Sequence, residues 1–311
     1  MAAFIIRRVL YGIPIILGTT LLLFIIFNVV PGDPAIQMAG RHASAERIES
    51  IRTELGLNKP LYAQYGDLLH QLVTLDFGRS YSTKERIIDI VARGAGVSFS
   101  LVAPPFFLSI ILSLFIGMFI AVKRGTWIDK WIVAFSVAGQ SVSVLVYILA
   151  GQYVLAFLWK WFPISGYDPS WLGRWEYLCL PGIIYVILSL APNIRFYRTA
   201  VLDELYQDYV RTARAKGLSM NAVMLKHVLK NAMIPIITDV VINIPFLILG
   251  ALLLESFFSV PGLGDIIVRA IANTDRPVLI SLTVLGTVAY VAFNIISDVL
   301  YALVDPRVQF K

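Results

Sequence analysis

Six segments of this chain are almost free of charge: 9–32, 94–122, 131–159, 177–194, 233–254 and 277–297. Together they hold 143 residues and one charged side chain, Asp239. At the chain's 15% charged content they would hold roughly 21. A helix rises 1.5 Å per residue, so about 20 residues cross a hydrocarbon core of about 30 Å. Each segment is close to that length or longer. A soluble protein burying six such helices would need far more polar surface than 26 basic and 20 acidic residues supply. The expected fold class is an all-α polytopic membrane protein with six transmembrane helices.

Composition narrows the function classes. Apolar residues make up 58% of the chain, which excludes a disordered chain and argues against an ordinary soluble enzyme. The net charge of +6 could suggest nucleic acid. The basic residues flank the apolar segments, however, where membrane topology accounts for them. Membrane lipid is therefore the expected surround, and no nucleic-acid partner is expected. One cysteine, Cys179, permits neither an internal disulfide nor a cysteine metal cluster.

Arg7 and Arg8 precede the first segment, which Pro31-Gly32-Asp33-Pro34 ends. It is too long for a signal-peptide core and lacks a small-x-small cleavage pattern, so it is expected to be a retained span. Three regions follow: 1–32 with the first span, 33–93 as an extracytoplasmic subdomain, and 94–311 as a five-span core. Basic residues crowd the loop holding Lys123, Arg124 and Lys130, and also 195–232. The bias puts both termini in the cytoplasm. Segment 33–93 carries eight basic and eight acidic residues, and only alternation of the spans places it outside.

Within 33–93, Ala43 to Leu55 predicts a short amphipathic helix with Ile48, Ile51 and Leu55 on one face, stopped by Gly56. Residues 60–76 predict a second. They form either a structured linker or a docking surface for an external partner. Segment 195–232 is too polar to span. Residues 202–216 predict a helix, Gly217 stops it, and Ser219 caps another from Met220 to about Ala232. That helix–Gly–helix unit is expected to project into the cytoplasm. In the outer loop 255–276, Pro261, Gly262 and Gly264 force turns, and 265–272 predicts a short helix at the membrane surface.

The motifs of common chemistry are missing. There is no P-loop, no His-Glu-x-x-His and no Gly-x-Ser-x-Gly elbow. The three histidines, His42, His70 and His227, form no recognised metal-ligand motif. No catalytic residue, metal or cofactor is expected on this chain. Asp239 either sits near the headgroups or a partner helix, or lines a polar pathway. Gln140 and Gln152, with Asn28, Ser141, Ser143 and Asn294, are polar groups within or beside spans. Helix-to-helix hydrogen bonding explains most of them, and Gln140 and Gln152 join Asp239 as candidate pathway residues.

At 208–235 the chain reads Asp-Tyr-Val-Arg-Thr-Ala-Arg-Ala-Lys-Gly-Leu-Ser, then Met-Asn-Ala-Val-Met-Leu-Lys-His-Val-Leu-Lys-Asn-Ala-Met-Ile-Pro. This resembles the cytoplasmic signature of permease subunits of binding-protein-dependent ABC importers, in particular the dipeptide/oligopeptide/nickel branch. The general pattern is Glu-Ala-Ala, three residues, Gly, nine residues, Ile-x-Leu-Pro. Arg211-Thr212-Ala213 takes the first place and Gly217 falls in register. His227 and Lys230 replace the Ile and Pro, departures typical of the peptide branch. Residues 54–65, Asp76 to Ser80, Glu255 to Gly264 and Leu300 to Arg307 resemble the same branch. Residues 94–160 are less typical of it.

The resemblance implies a type I ABC importer permease fold in a bacterial-type inner membrane, working by alternating access. It implies a second, related permease, two ATPase subunits that carry ATP and Mg, and an extracytoplasmic binding protein. Di- or oligopeptides are the implied substrate, with nickel chelate, glutathione or oligosaccharide open within the family. The coupling helix to the ATPase would comprise Asp208, Tyr209, Arg211, Thr212, Ala213, Arg214, Ala215, Lys216, Gly217 and Leu218. Small Ala213 and Ala215 would permit close approach to a groove. Glu255, Pro261, Gly262 and Gly264 would sit at the outer gate. From other classes, an ion-driven secondary transporter would need no ATPase, and a membrane enzyme would need paired catalytic residues.

Overall fold

The computed structural model describes residues 2–29, 34–39, 44–54 and 56–304. Pro31, Gly32, Asp33, His42, Ala43, Leu55 and residues 305–311 lie outside the described residues, as do the side chains of Asn28 and of 300–304. Regular structure among the described residues is helical, apart from one isolated bridge between Arg79 and Arg86. Among the described residues, five helices are long and apolar enough to cross a membrane: Ile6–Phe27, Ile87–Val122, Gly173–Leu205, Met220–Leu247 and Arg276–Val299. A sixth crossing is a broken pair, Trp127–Ser141 and Val144–Leu158, bent by 93°. Large apolar side chains point outward along these helices, with Phe115 67% exposed and Phe135 68%. That is the surface a lipid-facing helix requires, because only helices and closed barrels satisfy their own backbone in hydrocarbon.

One compact unit comprises Met1–Gly94 with Ile266–Ile295. It holds α1 (Ala2–Val29), α2 (Pro34–Ala39), α3 (Ala45–Glu54) and α4 (Leu61–Thr74), with the beginning of α5 (Ile87–Val122). Helix α3 stops at Gly56, whose φ of +67° suits glycine. Helix α4 begins after Pro60 and ends at Leu75 in the left-handed region. It docks on α1 through Tyr65, whose hydroxyl donates to the Leu17 carbonyl (3.2 Å) and whose ring lies 5.5 Å from Phe24. Glycine is required at position 12, where a Cβ would lie 2.5 Å from Val291 of the last span. Both helices expected in 33–93 are therefore present and packed.

The same unit carries a clamp not foreseen from sequence. Asp275 accepts from Ser80 Oγ (2.5 Å), Ser82 Oγ (2.6 Å) and the amides of Tyr81 and Ser82 (3.1 Å each). Burial opposes ionisation there, but these hydrogen bonds outweigh it and hold the carboxyl below its ordinary range.

The second unit comprises Ala95–Asp265 with residues 296–311. It holds the rest of α5, α6 (Trp127–Ser141), α7 (Val144–Gly151) with a π-helical extension Gln152–Leu158, and α8 (Gly173–Leu205). Short α9 (Asp208–Ala215) and α10 (Met220–Val223) follow; a π turn at Met224–Val228 leads into α11 (Leu229–Leu249), and α12 (Leu252–Phe258) comes next. The remaining helices, α13 (Leu263–Ala272) and α14 (Arg276–Val304), pass through both units. The core is Leu101, Val102 and Phe106 of α5 against Ile148, Leu180, Ile184, Leu247 and Phe258.

Three expectations are corrected. The third apolar segment is not one straight helix. Val142 and Ser143 are extended, and the Ser143 hydroxyl accepts from the Leu145 amide to start a new helix. Gly139 and Ser141 are weaker helix formers than the Leu and Ala around them, and serine at a cap stabilises the break. The helix–Gly–helix unit is also smaller than expected. Span four continues through Leu205, and the helix after Ser219 continues into span five, so only α9 stands apart. The single helix expected over 202–216 breaks at Tyr206 and at extended Gln207. Finally, span five ends at Gly250 (φ +82°) rather than at Leu254, and α12 is a separate helix.

Candidate functional site

Helix α9 is built to present one face. Val210 (0% exposed) and Ala213 (5%) pack into a core of Ala121, Val201, Leu205, Val223 and Met224. Asp208, Tyr209, Arg211, Thr212, Arg214 and Ala215 are exposed, as are Lys216, Gly217 and Leu218 beyond its end. The expectation for Ala213 is thus corrected. Its small size lets α9 sit close on its own core, and only Ala215 of the two alanines faces outward. Gly217 turns the chain at φ +80°, with its amide bonded to the Arg214 carbonyl (2.9 Å). Ser219 then accepts from the Ala222 amide (3.4 Å), capping the next helix. Tyr209 donates to Glu204 (2.5 Å), and Arg211 pairs with Asp208 at 3.4 Å. The Arg211 pair is fully solvated and weak. The guanidinium groups stay available to a partner with acidic side chains.

A second constellation lies at 250–265. Glu255 is 0% exposed and accepts from the amides of Ala251 (3.0 Å), Gly264 (2.7 Å) and Asp265 (3.3 Å). Ser98 sits beside it, accepting from the Leu263 amide (2.8 Å). Burial pushes the Glu255 carboxyl above its ordinary range, against the pull of these hydrogen bonds. The glycines are steric necessities. A Cβ on Gly262 would lie 2.5 Å from Ser98 Oγ, and one on Gly264 would lie 2.6 Å from Leu252 Cα. These glycines let the loop wrap the Glu255 carboxylate, while Pro261, in the same turn, is exposed.

A third feature is a cavity of about 480 Å³ among α5, α7, α8, α11 and α12. Asp239, Asn243 and Tyr197 line it. The Asn243 amide group donates to the Asp239 carbonyl (2.8 Å) and to Asp239 Oδ1 (3.3 Å). Among the described residues, no three His, Cys, Asp or Glu side chains stand together as a metal-holding set.

Comparison with known proteins decides the family. Residues 113–310 match the binding-protein-dependent transport system inner membrane component family, and residues 1–102 match its N-terminal component. The chain belongs to this family. The oligopeptide transport system permease protein AppB of Bacillus subtilis (strain 168) is 36% identical over 316 residues, covering all of both chains. The glutathione transport system permease protein GsiC of Escherichia coli (strain K12) is 33% identical over 311 residues, again covering all of both. A Brucella abortus (strain 2308) protein provisionally named a peptide transport system permease is 34% identical over 313 residues, with the same full coverage. The chain is thus a multi-pass membrane permease of the ABC importer class, whose members work with ATPase and binding-protein partners.

In this permease the three candidate pathway residues do not converge. Asp239 lines the cavity, part-way along the span-five helix rather than near its start. Gln140 accepts from Arg195 (2.5 Å) at the break in span three. Gln152 donates to the carbonyls of Ile164 and Phe257 (3.1 Å each), stapling the π-helical extension in place. Sequence patterning also missed Arg198, which forms a two-pronged ion pair with buried Asp129 (2.7 and 2.8 Å). In the sequence Arg198 stands out only as one of the basic residues of 195–232. An aspartate three residues after Thr126, itself a helix cap, was the available signal.

Proposed function

We propose that this permease imports di- or oligopeptides, glutathione among them, with α9 as the coupling helix to an ATPase. The exposed cationic face of α9, rigidly based on the permease core, carries this reading. Peptide substrates are named for relatives that align over the whole chain. The basic loops orient both termini and α9 to the cytoplasm. A second permease completes the pathway, and two ATPases hold ATP and Mg. An extracytoplasmic binding protein delivers the peptide near the Glu255 cage. ATP binding draws the ATPases together, and α9 passes that movement through Val210 and Ala213 into α8 and α10. The spans then open outward, and hydrolysis returns them inward. A loaded binding protein can trigger this only by preferring one state. Wrapped around one carboxylate, the 250–265 loop moves as a unit in the outer gate.

The test is purification in gentle detergent of the tagged permease from its native membrane, beside Gly217→Val. No atom lies within 4 Å of the added Cβ, so the substitution strains only the φ +80° turn. Wild type is expected to carry an ATPase and a second six-span protein, and the variant to lose the ATPase alone. Wild type recovered by itself, yet transporting after reconstitution, would point to an ion-driven carrier and end the proposal.

A further inference from the structure

The Asp239 cavity carries an inference that rests on the peptide reading and goes beyond it. Its lining mixes apolar walls, such as Phe106, Leu188 and Val240, with polar groups from two facing helices. Asp239 and Asn243 come from α11, and Tyr197 and Asn193 from α8. Its lining includes no Lys, Arg or His among the described residues. A carboxylate in hydrocarbon surroundings is costly without a counter-charge, and nothing in this cavity supplies one. Tyr197 brings a buried hydroxyl beside that carboxylate. It is 0% exposed, and its hydroxyl turns toward Asp239. Yet that hydroxyl completes no hydrogen bond of ordinary geometry. A buried hydroxyl left that way is costly.

We propose that this cavity is a subsite for the ammonium end of a peptide in transit. An ammonium has three donors and no acceptor. The cavity offers three matching acceptors: the Asp239 carboxylate, the Tyr197 oxygen and the Asn243 carbonyl oxygen, whose amide nitrogen is already turned to Asp239. The apolar walls receive the first side chain. About 480 Å³ falls within the range of small-molecule sites, roughly 300–1,000 Å³. Net binding stays modest because the carboxylate must also release its passenger.

The test uses the whole importer in proteoliposomes, with exposed Cys179 replaced by alanine and Asn193→Cys as a reporter. Two thiosulfonate reagents, one carrying trimethylammonium and one sulfonate, probe the cavity without any peptide. The cationic reagent is expected to react about tenfold faster than the anionic one, after correction for their rates with free thiol. Asp239→Asn should bring that ratio near one. Peptide uptake is then measured in Asp239→Asn and Asp239→Glu with Asn193 intact. A roughly tenfold loss in the first and recovery in the second are expected, with ATPase stimulation by the loaded binding protein unchanged in both. A reagent ratio that Asp239→Asn does not move would overturn the subsite. So would unchanged uptake, or uptake and ATPase stimulation falling together. No peptide uptake by wild type would instead sink the substrate reading, while the reagent ratio still reports on the cavity.

Discussion

At the scale of single residues, two buried carboxylates respond to pH in opposite ways. Asp275 is held below its ordinary value by the Ser80, Ser82 and backbone donors that outweigh burial. Its stabilisation is fully present above the unfolded pKa of about 3.9 and is lost as pH falls through the lower folded value. Glu255 is pushed up by burial. Its pH-dependent share is complete below the unfolded pKa of about 4.3 and is lost as pH rises through the folded value. Melting curves of detergent-solubilised Asp275→Asn should therefore lack part of the wild type's decline as pH falls below about 4. Glu255→Ala is a harsher change. It strands the amides of Ala251, Gly264 and Asp265, at about 1–3 kcal/mol each where water cannot reach them. A variant melting within a degree of wild type would show that the cage does not hold the loop.

At the scale of elements, α9 and the α6–α7 break are the parts with consequences. Eight residues make a marginal helix alone, so α9 depends on burying Val210 and Ala213. Val210→Asp places a charge in that core and should release α9 with the long spans intact. Hydrogen exchange should then quicken over 206–218 and stay slow in α8 and α11, and ATPase recovery should fall with it. Exchange quickening throughout α8 would mean that α9 is not a separable element. The break at Ser143 is cheaper to test. Ser143→Ala removes a cap worth about 1 kcal/mol, a shift readable by thermal melting.

At the scale of the whole molecule, the outward apolar faces separate a membrane protein from a soluble bundle. Phe115 is 67% exposed within span two. Phe115→Lys would be nearly neutral facing water, but costs about 2.5–3.5 kcal/mol at a bilayer centre. A clear drop in membrane-inserted protein is expected, measured by fractionation after carbonate extraction. The Asp129–Arg198 pair holds the start of α6 to α8. Removing either partner alone strands a largely buried charge and should cost up to about 3 kcal/mol, and removing both should cost less than the two separate losses added.

The sequence alone determined the number and rough position of the apolar segments, because crossing hydrocarbon demands about 20 uncharged residues in a row. It also determined the turn at Gly217 and the short helices of 33–93, which depend on neighbours only a few residues away. Tertiary structure decided the rest, because the deciding partners are far apart in the chain. Asp275 finds Ser80 across 195 residues, and Arg198 finds Asp129 across 69. No local pattern marks such pairs. Ala213 turned inward because α9 had a core to cover, a fact its spacing from Gly217 does not contain. Asp239 and Tyr197 meet at a cavity only because α8 and α11 pack side by side. Segment 131–159 reads as one span on hydropathy, which records how apolar a stretch is; its 93° bend is set by hydrogen bonds that hydropathy does not see.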